Sequence, residues 1–332
     1  KFAMYLLGET DGIVKSADWA AEISELSADA IRDLARRMAT SRTMLSVSWS
    51  LTRQDHGEQT FWAAITLTAM LGQIGLPGGG IGFGYSAVNT IGREVTRLPA
   101  AAFPQGTNPV KKFIPVARIA DMLLNPGASF DYNGGTYTYP DARIIYWAGG
   151  NPFHHHQDLN RMLQAWRKPD TIIVHEWCWN ALAKHSDIVL PCTTSLERND
   201  LALTSRDPFL VYMEQAAKPA GKSRNDYDIL RGIGCKMGVE EVFSEGRDDQ
   251  EWIRWMYDQT RQLAARERIE LPSLEDLKND RWFEIKGPTE PHVMLREFRD
   301  DPTANPLKTP SGKIEIYSET IASFEYDDCP GH

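Results

Sequence analysis

Basic side chains are in short supply: 36 lysines and arginines stand against 45 aspartates and glutamates, for a net charge of -9. With a pI near 5.5, no surplus is left to neutralise phosphates, which excludes a nucleic-acid backbone as the main partner. Cysteine is scarce too. Cys178, Cys192, Cys235 and Cys329 show no C-x-x-C spacing, so neither a zinc site nor an iron–sulfur cluster is indicated. No run of about 18 apolar residues occurs, so no membrane-spanning helix is expected. The G-x-G-x-x-G turn of a nicotinamide-binding fold and the G-K-[ST] of a phosphate loop are also absent. The chain opens at Lys1 without a starting Met or signal segment and stops at Cys329-Pro330-Gly331-His332. This suggests a piece of a longer protein and leaves its address unread.

What is present suffices for real cores: 42% apolar and 10% aromatic residues over 332 positions, enough for one large or two ordinary domains. The central stretch runs from Tyr146 to Asp158, with Gly149-Gly150-Asn151-Pro152-Phe153-His154-His155-His156 at its heart. An apolar β-branched run, Arg143 to Tyr146, precedes it, and helical spacing from Asp158 to Arg167, with Asp158 as N-cap, follows. The pattern predicts a strand, a tight polar loop and a helix. In open α/β sheets such loops lie at the carboxyl ends of strands, where ligands bind.

Similar units recur. Thr43 to Val47 reads as a strand and Gly57 to Gly75 as an apolar helix, separated by Ser48-Trp49-Ser50-Leu51-Thr52-Arg53-Gln54-Asp55-His56. Thr171 to Val174 and Asp187 to Leu190 read as strands leading into His175-Glu176 and Pro191-Cys192-Thr193. The expected fold class is α/β, with two related doubly wound, mostly parallel, Rossmann-like sheets and an irregular excursion between them. The domain boundaries expected are 1–90 and 141–240 for the two cofactor-binding α/β domains, 91–140 for the excursion, and 241–332 for a helical extension and linker. Within these, Ala17 to Leu26, Ser27 to Thr40, Val116 to Leu124, Tyr227 to Met237 and Asp249 to Glu267 read as helices, and Lys313 to Tyr317 as a late strand. A β-hairpin is expected at Asn133-Gly134. The glycines from Gly75 to Gly84 follow a helix rather than a strand, which favours a turn-rich crossover over a phosphate cradle.

Neighbouring side chains rarely converge on one ion, so ligand hydrogen bonding is favoured over metal ligation for His154, His155 and His156. Glu176 stands where dinucleotide folds place a carboxylate on a ribose hydroxyl, with a solvated strand-end carboxylate as the alternative. Arg53, beside hydroxyls at a helix N-terminus, suits a pyrophosphate; a surface ion pair with a neighbour such as Glu58 is the alternative. Ser195 to Asp200 is polar enough for ligand contact, although Glu197 and Arg198 could pair with neighbours.

Taken together, Trp49-Ser50-Leu51-Thr52-Arg53-Gln54-Asp55-His56-Gly57-Glu58-Gln59, Met70 to Gly80, Gly150 to Asp158, Asp187 to Pro191 and Thr193 to Asp200 resemble the molybdopterin oxidoreductases. The likeness covers nearly the whole chain and is greatest to the branch that reduces dimethyl sulfoxide, trimethylamine N-oxide and biotin sulfoxide. It implies molybdenum held between two molybdopterin guanine dinucleotides, the bis(molybdopterin guanine dinucleotide) cofactor, each dinucleotide lying along one α/β domain. Trp49, Ser50 and Arg53 resemble contacts to the phosphate and pterin of one dinucleotide, and Gly150, Asn151 and His155 contacts at the other half. His175 and Glu176 would take a guanosine, Glu176 replacing the Asp commoner in the wider family. Pro191 and Thr193 would line the pocket, and Asp226 would bind a guanine edge, with Asp228 as its competitor.

The resemblance implies no catalytic residue and no metal ligand in this chain. The metal-binding serine belongs to an N-terminal region and the covering domain to a C-terminal one, so the chain alone is expected not to turn over substrate. Implied partners are a small S-oxide or N-oxide and an electron donor such as a c-type cytochrome or a thiol/reductase system, with the periplasm favoured over the cytoplasm. The competing readings are a Rossmann-type nicotinamide enzyme and a non-catalytic histidine-loop metal-binding module.

Overall fold

Side-chain caps start many of the helices, three of them in elements the sequence marks. In a computed structural model, which describes residues 1–83, 96–204 and 208–329, Ser16 accepts from Trp19 N at 3.2 Å, Ser27 from Ala30 N at 3.2 Å and Asp158 from Arg161 N at 3.0 Å. Each satisfies an N–H that has no partner inside its helix. The helices are Ala17–Ser24, Ala28–Thr40 and Leu159–Ala165. The first stops short of Leu26 because Glu25 turns left-handed, φ 61°. Gly84, the start of the poorly periodic stretch from Tyr85, and Pro330-Gly331-His332 lie outside the described residues. The chain divides into two compact units, Lys1–Glu94 with Thr289–His332, and Val95–Pro288.

In the first unit, strand β1 (Met44–Val47) pairs in parallel with β2 (Gly80–Phe83). The glycine-rich turn is therefore not wholly a crossover: its second half is a strand, because β1 supplies the partner that glycine's own propensity does not. Close approach explains two of its glycines. A Cβ on Gly79 would lie 2.9 Å from the Gln73 carbonyl oxygen, and Gly80 sits at φ 85°. The Gln73 side chain ties the turn to the entry of β1, its Oε1 accepting from Thr43 N at 2.8 Å and its Nε2 donating to Ser41 O at 2.8 Å. The apolar helix runs Gly57–Met70 and ends sooner than Gly75, since Gly72 already takes φ 65°.

Lys313 to Tyr317 is not a strand. Its carbonyls are taken by side chains instead of a neighbouring ladder: Glu315 O accepts from Trp62 Nε1 at 2.8 Å and Lys313 O from the Thr309 hydroxyl at 2.7 Å. Arg299 Nη1 likewise donates to Gly72 O at 2.7 Å and Ile74 O at 3.0 Å.

The second unit carries, after the helix Ile119–Leu124, the hairpin β3 (Ser129–Tyr132) and β4 (Gly135–Thr138). Asn133 and Gly134 both have positive φ, 47° and 76°, as the tight primed turn between twisted strands requires. Then comes a parallel sheet of β5 (Ile144–Ala148), β6 (Thr171–Glu176) and β7 (Ile188–Pro191), in that order. One face of it is buried. Ile145, Trp147, Ile172, Val174 and Val189 pack with Met122, Leu123, Phe130, Tyr139, Met162 and Trp166 from the hairpin and the helices Ile119–Leu124 and Leu159–Ala165.

A second core lies under an antiparallel sheet of β8 (Asp200–Ala202), β9 (Phe209–Met213) and β10 (Trp282–Glu284), in the order β10-β9-β8. Leu210, Tyr212, Tyr257, Leu271, Leu274, Leu277 and Ile285 fill it. The architecture is thus mixed α/β, with parallel sheets that carry polar loops at their carboxyl ends and an antiparallel sheet beside one of them. Among the described residues no helix is long and apolar enough to cross a membrane.

Candidate functional site

At the carboxyl end of β5 the loop is more ordered than a turn. Gly149 and Gly150 adopt φ 84° and 74° with open space where a Cβ would stand, and Pro152–His155 forms a short helix that the tight-loop reading lacked. Asn151 caps it, its Oδ1 accepting from Phe153 N at 3.0 Å. Its Nδ2 is buried and meets no acceptor among the described residues. Phe153 anchors the helix by stacking on His185, ring centroids 4.8 Å apart. His154 and His155 remain exposed, whereas His156 is half-buried, and burial pushes its pKa down. Among the described residues no three His, Cys, Asp or Glu converge on a position that could hold a metal ion.

At the end of β6, His175 and Glu176 are both buried, 3% and 6% exposed. His175 bridges two groups. Its Nδ1 lies 2.7 Å from Asp226 Oδ1 and its Nε2 lies 2.6 Å from the Tyr146 hydroxyl. A carboxylate only accepts, so Nδ1 carries the proton, and in the neutral ring Nε2 is left to accept from Tyr146. Burial, and then the charge of Asp226, push the Tyr146 pKa up, which keeps that hydroxyl protonated as a donor. No donor or cation among the described residues meets the Glu176 carboxylate.

At the end of β7, Pro191 is exposed and Thr193 is buried. A parallel bridge joins Cys192 to Arg224, and through it the helix Asp226–Lys236 is brought to the strand ends. Thr193 Oγ1 donates to Asn225 Oδ1 at 2.9 Å, and Asn225 Nδ2 to Asp249 Oδ2 at 3.0 Å. Asp226 therefore meets His175. Asp228 does not: burial, with Asp249 nearby, pushes its pKa up. Burial drives the Cys192 thiol up to about 11, with Asp226 and Glu176 adding to the rise.

Gly150, Asn151, His155, His175, Glu176, Pro191, Thr193 and Asp226 thus lie at or beside three adjacent strand ends. Next to Asp226 opens a cavity of about 390 Å³, lined among others by Phe103, Arg198, Asp200, Asn225, Asp249 and Trp252. Glu197 and Arg198 do pair locally. Glu197 closes a capping box with Thr194 and accepts from Ala220 N at 2.7 Å, while Arg198 holds Asp200 and Thr193 O, each at 3.2 Å.

In the other unit, Trp49, Ser50 and Arg53 lie on the 3₁₀ turn Trp49–Arg53, which Ser48 caps by accepting from Ser50 N at 3.3 Å. All three are exposed. No carboxylate among the described residues pairs with Arg53, so the ion-pair alternative with Glu58 is not what the structure contains. The glycine-rich turn lines a separate, mostly apolar hollow of about 220 Å³ with Met44, His292, Val293 and Met294.

Comparison with known proteins decides the family. The family model described as molybdopterin oxidoreductase matches residues 15–236. The chain belongs to the molybdopterin oxidoreductase family. Over its whole length it is 48% identical to the biotin sulfoxide reductase of Cereibacter sphaeroides, of which it covers 44%. It is 46% identical to the dimethyl sulfoxide/trimethylamine N-oxide reductase of that bacterium, covering 42%. To the trimethylamine-N-oxide reductase of Haemophilus influenzae it is 44% identical, again covering 42%. The chain spans less than half the length of these relatives.

Molybdenum and molybdopterin are what this family implies, and the strand-end residues fit a polar organic cofactor. A molybdopterin oxidoreductase must offer donors to pterin and phosphate oxygens and acceptors to ring N–H groups. Among the described residues the buried Asn151 Nδ2 has no partner and is such a donor, and the carboxylate of Glu176, a residue 6% exposed, is such an acceptor. Leaving the Asn151 donor buried without a partner costs about 1–3 kcal/mol.

Three participants escaped the reading of the sequence. Tyr146 was visible only as a strand residue; that it reaches His175 depends on register, since Tyr146 stands opposite Ile173 and Ala148 opposite His175. Phe103 and Trp252, whose rings meet edge to face at 5.3 Å, are joined from segments far apart in sequence, and no local signal marks them.

Proposed function

We propose that the protein carrying this chain is a molybdenum-dependent reductase of S-oxides or N-oxides, such as biotin sulfoxide, dimethyl sulfoxide or trimethylamine N-oxide, and that this chain binds molybdopterin guanine dinucleotide. What carries the proposal is similarity over the whole of this chain to three reductases of such oxides, joined to the buried Asn151 donor and the polar side chains at the strand ends of the second unit.

Bound molybdenum would supply two-electron oxygen-atom transfer; the chain's own residues bind, orient and exclude water. Trp49, Ser50 and Arg53 would meet one dinucleotide's phosphate and pterin. Gly150, Asn151 and His155 would contact the other, Gly149 and Gly150 admitting it to the backbone and Asn151 Nδ2 donating to it. Glu176, with His175, would take the nucleoside, Pro191 and Thr193 would line its path, and Asp226 would accept from the N–H edge of the guanine. The cavity beside Asp226, walled by the flat rings of Phe103 and Trp252, suits a purine.

The test is chemical analysis together with turnover. The protein purified from a molybdenum-replete host should release GMP on pyrophosphatase treatment, twice as much as its molybdenum content, and should oxidise a reduced viologen with the oxides above. Release of AMP or of no nucleotide, or turnover that persists after growth on tungstate in place of molybdate, would overturn it.

A further inference from the structure

The Tyr146–His175–Asp226 chain is more than the cofactor contacts require. It runs from strand β5, through a His175 side chain 1% exposed, to an Asp226 side chain 50% exposed, by two hydrogen bonds of 2.6 and 2.7 Å. One oxygen of Asp226 is committed to His175 Nδ1, and no hydrogen bond among the described residues engages the other. A carboxylate fixed by one oxygen presents its remaining lone pairs in one direction, whereas a free one rotates. The fixing depends on His175 keeping its ring orientation. Turning the ring over would put carbon where each nitrogen stands, and with Tyr146 in place it would break two hydrogen bonds instead of one. Tyr146 therefore locks His175, and His175 locks Asp226.

We infer that Tyr146 is a positioning residue which, acting through His175, holds Asp226 in the orientation that reads the nucleotide base, and so sets a preference for guanine. The inference rests on the proposed function. An acceptor-only carboxylate matches the N1–H and 2-amino donors of guanine, meets only N1–H in hypoxanthine, and faces an acceptor in adenine. The order of affinity should be guanine, hypoxanthine, adenine.

Equilibrium binding of GDP, IDP and ADP to the full chain and its variants tests this. The wild type should prefer GDP over ADP by about 10- to 100-fold, as for a paired donor–acceptor contact in base reading. Tyr146→Phe should lower that ratio about three- to tenfold, the worth of one hydrogen bond, by weakening GDP while ADP binding stays unchanged. His175→Asn, which keeps a donor near the Nδ1 position, should retain more of the preference than His175→Ala. An unchanged GDP:ADP ratio in Tyr146→Phe overturns the inference and leaves the proposed function standing. Equal loss of GDP and ADP in both Tyr146→Phe and His175→Asn marks a merely structural role and also overturns it. A wild type that binds GDP no better than ADP overturns it together with the guanine reading on which it rests.

Discussion

Gly57 begins the apolar helix of the first unit directly after the turn that carries Ser50 and Arg53, and its missing side chain is a steric requirement. A Cβ there would stand 2.2 Å from Leu51 O, 2.7 Å from Thr52 Cα and 2.9 Å from Thr52 C. All three are backbone atoms, so no rotamer change relieves the clash; the turn must move by about 1 Å to restore ordinary van der Waals separation. Gly57→Ala is therefore expected to cost about 1–3 kcal/mol of overpacking, against a helix-propensity gain of up to about 1 kcal/mol. Gly72→Ala is the control. It has open space around it and φ +65°, so its cost of about 1 kcal/mol is conformational alone. At roughly 2–4 °C per kcal/mol, thermal melts should place Gly57→Ala below the wild type, and amide exchange should show faster opening over 49–53 in Gly57→Ala but not in Gly72→Ala. A Gly57→Ala protein as stable as the wild type, with protection over 49–53 intact, would refute the reasoning.

Four further outcomes follow from particular contacts. Backbone hydrogen bonds from Thr194 and Ala220 hold the Glu197 pKa below the ordinary 4.5. Its stabilisation is therefore complete above about pH 4.5 and fades as pH falls through the lowered value, so Glu197→Gln should flatten the acid limb of a urea-midpoint-versus-pH curve; equal slopes would count against it. Tyr257, fully buried, donates to Pro272 O at 2.9 Å, and Tyr257→Phe should cost about 0.5–1.5 kcal/mol in urea unfolding, with no change contradicting that bond's role. Iodoacetamide at pH 8 should label exposed Cys178 well before buried Cys192, whose thiol sits near 11; peptide mass spectrometry showing equal rates would contradict the burial. Asn151→Asp keeps the cap on Phe153 N but removes the orphan donor. It sets a carboxylate oxygen in that buried place, so the melting temperature should fall and retained molybdopterin should drop several-fold; unchanged cofactor content would remove Asn151 from the site.

How much of this could be read beforehand follows the range of the interaction. The Asn133-Gly134 hairpin and the caps at Ser27 and Asp158 were legible because turn and cap chemistry acts over three or four residues. The parallel strands around the central loop were legible as apolar β-branched runs. Lys313 to Tyr317 has the same local look and is no strand, since a strand exists only with a partner, and Trp62 and Thr309 occupy its carbonyls instead. The β8–β10 sheet went unseen for the converse reason: β9 and β10 pair across about 70 residues, which no window spans. Glu176 and Asn151 could be singled out from motifs, but that both residues are buried is a property of packing. The meeting of Asp226 with His175 depends on the bridge between Cys192 and Arg224, and Tyr146 joins them only through register.

The discontinuity of the first unit bears on how the chain is made. Its residues up to Glu94 leave the ribosome roughly 200 residues before Thr289, and at ~5–20 residues per second that is an interval of about 10–40 s. Throughout it Gly72, Ile74 and Trp62 lack Arg299 and Glu315, the late-arriving partners of their backbone and indole groups. The intervening unit, continuous in sequence, can fold first, while the earlier-born one waits half-clad, a window in which a holding chaperone would find its substrate.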